Sequence, residues 1–396
     1  MRLGRSVVLL LLLINGGVAR SAEPACILDP ATMPESWRPA ATIQQTIRAS
    51  PWSDGEAKDD AQAVQGGLRE LTDFFARKPA AVLALRDNAV EPLIDISYSA
   101  GNMPRLRTRA RDSARGLLVQ LLEPYRKRNA SSVSCKEFPA LVDLAIYSHE
   151  LLPKADRRVS LMAALTNAAY GACGSLPAAI GYDYRHTLAS PDVSSDDVWN
   201  LVMWSITLTD AQLVPELELP PEAADLAPTL WHFLQRYPLA GARTYRDGAF
   251  NKKFYDTAYL ATHIAYIPTG YGRYPIYIAD SPQLYRFLRE NFYAVLQMGE
   301  LDLTAEFVDA FRQYGCTERN DVQVRDGTRY LLNLFHSAGD RWMAYREPGE
   351  PAEITDYDAV HKAWTGISGV RARVPERAAP GTYGAVIRRW LGPEQR

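Results

Sequence analysis

The segment YDTAYLATHIAYIPTGYGRYPIY, residues 255–277, repeats acid, phenol and imidazole side chains at helical spacing. Asp256, Tyr259 and His263 lie on one face of a helix, since seven residues make almost two turns. Together these groups can transfer a proton or ligate a metal. Tyr266, one turn further on, offers a second proton donor or a binding surface. The same residues also admit a plainer reading, in which His263 is a buried histidine bonded to a neighbour and the tyrosines are packing.

Beyond Pro268, expected to end the helix, TGYGRYPIY supplies Gly270 and Gly272 for a tight backbone and sets Arg273 between Tyr271 and Tyr274. Such a loop is costly to order unless it packs or binds, and function tends to sit in loops of this kind. Nine of the chain's 21 tyrosines fall between residues 245 and 293. Phenols combine a flat apolar face with a hydrogen-bonding tip, so a cleft of Tyr271, Tyr274 and Trp364 suits a sugar or peptide. Arg273 is expected to neutralise an acidic group on that ligand.

Two further patterns bear on metal chemistry. Asp358 and His361 stand at i, i+3 with Trp364 one turn along, as two neighbouring ligands or as an ion pair near a helix start. Asp302, Glu306 and Asp309 recur at i, i+4, i+7, which usually marks a solvated face. If that helix faces a cavity instead, Glu306 joins His263 and His361 as a set of two imidazoles and one carboxylate for one divalent metal ion with open positions. His149, His186, His232 and His336 are isolated from one another and read as structural or exposed. The chain contains no nucleophile elbow, no HExxH, no phosphate-cradling glycine loop and no dinucleotide fingerprint.

What must position these residues is a succession of amphipathic helices. Apolar residues recur at three- and four-residue spacing over roughly 59–77, 79–88, 104–127, 136–153, 157–172, 192–209, 222–237, 251–267, 281–298, 301–314, 322–336 and 356–371. Ser195-Asp196-Asp197, Ser281-Pro282 and Asp356 give helix starts. No strand alternation is evident. The pattern predicts one all-α domain over 59–396, an (α/α) barrel or toroid of about six helical hairpins, with a helical solenoid as the other arrangement.

Residues 1–22 have a basic start at Arg2 and Arg5, an apolar run from Val7 to Ile14 and a small-residue exit, the pattern of a secretory signal peptide. The expected location is therefore periplasmic or secreted, with an extended arm over 23–58 and no span of a membrane. Cys26, Cys135, Cys173 and Cys316 permit up to two disulfides in three connectivities. A net charge of -2 gives no electrostatic case for nucleic acid.

The run RYLLNLFHSAGDRWM at 329–343 and YDAVHKAWTGISGVR at 357–371 resemble the repeats of the terpenoid cyclase and protein prenyltransferase toroid, the squalene-cyclase-like fold. DLTAEFVDAFRQYGC at 302–316 and the segment at 255–277 fit the same spacing, so the resemblance covers the C-terminal third. It implies a helical toroid and no particular activity, because neither the acidic motif that protonates squalene nor a prenyltransferase zinc set is present.

The expected function is thus an exported enzyme with a Tyr/His/Arg-lined cavity acting on a sugar polymer, peptide or small molecule. Acid–base lysis or hydrolysis and metal assistance both fit. The alternative is a non-catalytic periplasmic binding or assembly protein with an aromatic recognition cleft.

Overall fold

The computed structural model describes residues 26–39, 50–98, 103–190, 193–373 and 379–391. The expected signal peptide lies outside these residues, as do 23–25 and 40–49 of the expected arm. Among the described residues the chain is all α-helical with no strand. The helices are α1 (Asp54–Arg77), α2 (Pro79–Leu85), α3 (Asp87–Ser97), α4 (Pro104–Leu122), α5 (Phe138–Leu151), α6 (Arg157–Cys173), α7 (Leu176–Ile180) and α8 (Tyr184–Ala189). They continue with α9 (Ser195–Ala211), α10 (Pro221–Leu234), α11 (Lys252–Thr269), α12 (Pro282–Met298), α13 (Leu301–Gln313), α14 (Val322–Ser337), α15 (Asp356–Val370) and α16 (Tyr383–Leu391).

Local chemistry explains several boundaries. Ser53 and Glu56 form a capping box, so α1 starts at Asp54 and the arm ends before residue 58. Thr355 and Asp358 form the same box on α15, which removes Asp358 from the candidate ligands. Proline does not end α11: the helix runs through Pro268 to Thr269, and Gly270 in the left-handed region closes it. α3 is a helix that the sequence pattern does not predict, because Pro92 reads as a breaker, yet Pro92 sits inside it.

The helix pairings return on themselves. α3 packs on α5, α5 on α9, α9 on α11, α11 on α13, α13 on α15, and α15 on α3. In addition α4 packs on α3 and α5, α6 on α5, α10 on α9, α12 on α11, α14 on α13, and α1 on α15. Placement within the circuit overturns the solvated reading of α13. Glu306 and Asp309 are both buried.

α13 and α15 approach so closely that a Cβ on Gly369 would lie 2.8 Å from the Ala305 Cα. Gly369→Ala is therefore expected to destabilise the protein by about 1–3 kcal/mol, measurable as a lower urea midpoint at unchanged slope.

Cys26 with Cys316 and Cys135 with Cys173 lie at disulfide distance. The first pair fastens residues 26–39 to the start of α14, where the Ile27 amide donates to Asp321 and the Val322 amide donates to the Ile27 carbonyl. Trp37 completes the attachment by packing edge-on against Tyr285 of α12.

Candidate functional site

The circuit encloses a cavity of about 440 Å³. Every helix of the circuit contributes to its lining: Glu91 from α3, Asp143 from α5, Trp199 from α9, His263 from α11, Glu306 from α13 and His361 from α15. The expected residues Tyr259, Tyr266, Tyr271, Arg273 and Trp364 line it as well. Two expected residues do not belong. Asp256 shares the His263 face but sits almost two turns, about 10 Å, nearer the start of α11, where it pairs with Lys252 at 2.8 Å outside the cavity lining. Tyr274 is buried against Tyr383, with ring centroids 6.1 Å apart, and lies outside the lining.

One wall is formed by α11, α13 and α15. His263 Nδ1 lies 2.9 Å from the Tyr259 carbonyl, so this nitrogen donates and Nε2 keeps its lone pair. Glu306 Oε2 stands 3.6 Å from His263 Nδ1 and accepts the Thr262 hydroxyl. Burial pushes the His263 imidazole down to about 4, against the favourable pull of the Tyr259 carbonyl. The same burial, reinforced by the charge of Asp302, drives the Glu306 carboxyl well above the carboxylate range. A neutral imidazole therefore stands beside a carboxyl whose proton is held more tightly than usual.

The metal set differs from the expected one. Asp302, Glu306 and His361 bring one donor atom each within 4.8 Å of one another, and His263 is not among them. Asp302 Oδ2 accepts from Tyr259 at 3.1 Å and lies 3.5 Å from His361 Nδ1. Asp302 Oδ1 is buried with no partner among the described residues. Two carboxylates and an imidazole suit a small divalent cation such as zinc or manganese.

The opposite wall comes from α3 and α5, and the sequence reading does not include it. Asp87, Glu91 and Asp143 line it, with Tyr147 alongside. Burial raises all three carboxyls, and Asp143 and Glu91 rise well beyond their ordinary range as neighbouring carboxylates add repulsion. A signal does exist in the sequence: Asp87, Glu91 and Asp95 recur every fourth residue within the otherwise apolar DNAVEPLID.

Arg273 does not serve as expected. It donates to Asp210 at 2.6 Å and to the Gly270 carbonyl at 2.8 Å, and its guanidinium packs over the Tyr98 and Tyr383 rings. Its charge is already matched, so it is not available for an acidic ligand. Tyr271, beside it, holds φ at 57°, an uncommon conformation for a bulky residue and one that clusters at binding sites.

His263 also gives the folded state a pH dependence. Its folded pKa of about 4 lies below the ordinary 6.5, so protons favour the unfolded chain between these values. Stability from this residue is present above pH 6.5 and lost as pH falls toward 4, by on the order of 3 kcal/mol. Urea unfolding at several pH values should show a shallower acid decline for His263→Gln than for the native chain.

No family model, curated protein or solved structure matches this chain.

Proposed function

We propose that the chain is an exported enzyme of the helical-toroid type, whose closed circuit of helices forms the inner ring around a catalytic cavity. Its substrate is a hydroxyl-rich small molecule or saccharide, and the reaction is general acid–base hydrolysis of an oxygen-linked bond. His263 Nε2 takes a proton from the attacking water while the Glu306 carboxyl gives one to the departing oxygen. Tyr259 and Tyr266 hold substrate hydroxyls, and Trp199, Tyr271 and Trp364 supply apolar faces for the ring.

The observation that carries this reading is that His263 and Glu306, 3.6 Å apart at Nδ1 and Oε2, share one wall of a cavity lined by aromatic rings. Lysis of an acidic polysaccharide is disfavoured because Arg273 is committed to Asp210. Incubating the protein with neutral and amino oligosaccharides and following reducing ends tests the proposal. Turnover abolished in His263→Ala and Glu306→Gln supports it; binding without turnover would leave the non-catalytic binding protein in its place.

A metal-assisted version is favoured by one specific observation, the convergence of Asp302, Glu306 and His361. Such an ion would supply a Lewis acid at the same wall. Elemental analysis is expected to find one divalent ion per chain, lost in Asp302→Asn and His361→Ala. Metal-free native protein that still turns over substrate would remove this version and leave the acid–base one.

A further inference from the structure

We infer that the ligand of this cavity carries a cationic nitrogen, an ammonium group seated among Asp87, Glu91 and Asp143 beside the rings of Tyr147 and Tyr271. The inference rests on the reading of the hollow as a ligand site and names the charge of what enters it.

Elsewhere this protein matches carboxylates that lie away from solvent. Asp210 is matched by Arg273 at 2.6 Å, and Asp95 by Arg371 at the same distance. Asp309 is matched by Arg373, and Glu150 accepts from Tyr98 and Arg111. A carboxylate taken out of water without a partner is costly, and these four are each given a cation or a hydrogen-bond donor. Asp87, Glu91 and Asp143 break that pattern, having no ion-pair partner among the described residues although all three line the hollow. Glu91 has the Tyr271 hydroxyl for company and nothing of opposite charge.

That the hollow receives a ligand is supported independently of these acids. Glu306, His263 and Tyr266 are each more than nine-tenths buried and all line the cavity, and the hydrogen bonds of the His263 ring run through Nδ1, which leaves Nε2 to the hollow. The Nε2 of this buried ring is thus a polar atom with no hydrogen bond to another described residue.

Charge then decides which ligand. An anion entering would face three carboxyl groups and find both lining guanidiniums, Arg273 and Arg373, already engaged. In a site shielded from water, a carboxylate attracts a cation and repels an anion far more strongly than it does in bulk solvent. The phenol faces of Tyr147 and Tyr271 add a cation–π contribution that neutral ligands lack. Burial raises all three carboxyls, Asp87 repels Glu91 and Asp143 as well, and an arriving ammonium would oppose that shift by favouring their charged form.

Isothermal titration calorimetry with two probe classes tests the inference. The first compares the glucosamine tetramer with the N-acetylglucosamine tetramer at mildly acidic pH, where the amine is charged; the second is spermidine. At least about tenfold tighter binding of an amine probe than of the acetylated tetramer is expected, falling by a similar factor in a Glu91→Gln/Asp143→Asn double variant. Equal or tighter binding of the acetylated tetramer overturns the ammonium site while leaving the saccharide cavity standing. Binding of spermidine alone keeps the ammonium site and rejects the saccharide. If no probe binds the native protein, both fail. Should the double variant not fold, the affinity ratio measured on the native protein still decides between these outcomes.

Discussion

Asp95→Asn is expected to cost about 3–5 kcal/mol of folding stability. Asp95 lies on α3 and is buried, with both carboxylate oxygens within 2.7 Å of Arg371 Nη2. The Trp364 indole donates to it at 2.9 Å and the Ser368 hydroxyl at 3.2 Å, while Arg371 also reaches its backbone carbonyl. Nearly all of these donors belong to α15 or the residue that caps it, so the carboxylate is what fastens the last helix of the circuit to the first.

An amide of the same shape keeps one or two of these hydrogen bonds and leaves a buried guanidinium without its charge. Although burial opposes ionisation, Arg371 and Arg373 hold the Asp95 carboxyl below its ordinary range. The sign follows: this stability is present above the ordinary aspartate range and is lost as pH falls through the depressed value. Denaturant unfolding at neutral pH measures the loss, and pairing Asp95→Asn with Arg371→Met should recover part of it. A loss below about 1 kcal/mol, the scale of an exposed ion pair, would show that the α3 to α15 closure does not depend on this contact.

What can be read from the sequence divides along a physical line. Helical periodicity is written in every amphipathic segment, so the all-α class and most helix positions are legible. The residues at 259, 263, 266, 271, 273, 306, 361 and 364 stand out because polar chemistry recurs on helices that otherwise bury apolar faces. All of them line one cavity. Their partners are not legible, because pairings such as Arg273 with Asp210 or His361 with Asp302 span 63 and 59 residues and no local spacing encodes them.

The largest omission is α3. Pro92 removes one backbone donor, and propensity alone counts that heavily against a helix. In the folded protein tertiary packing outweighs the penalty, since Ala89, Val90, Leu93, Ile94 and Ile96 are all buried on this element. With the helix go its acids, and with them the second wall of the site. Asp256 fails in the opposite sense: it shares a helix face with His263, but it lies about 10 Å back along the axis, beyond the stretch of α11 that lines the cavity.

Glu306→Gln is expected to lower turnover by about 10²–10⁴-fold, the usual contribution of a positioned general acid. Stability should change little, because the amide oxygen can still accept the Thr262 hydroxyl and a neutral group replaces a carboxyl whose ionisation burial opposes. The pH profile separates a proton-donating role from a merely structural one. Under the proposed mechanism, activity of the native protein should fall on the acid side near pH 4, where the His263 imidazole takes up a proton, and on the alkaline side where Glu306 loses its own. The glutamine variant cannot lose a proton there, so its residual activity should run flat through the alkaline limb while keeping the acid one. An alkaline limb that persists in the variant would assign the proton donor to another residue, with Tyr259, bonded to Asp302 at 3.1 Å, the next group positioned to supply it.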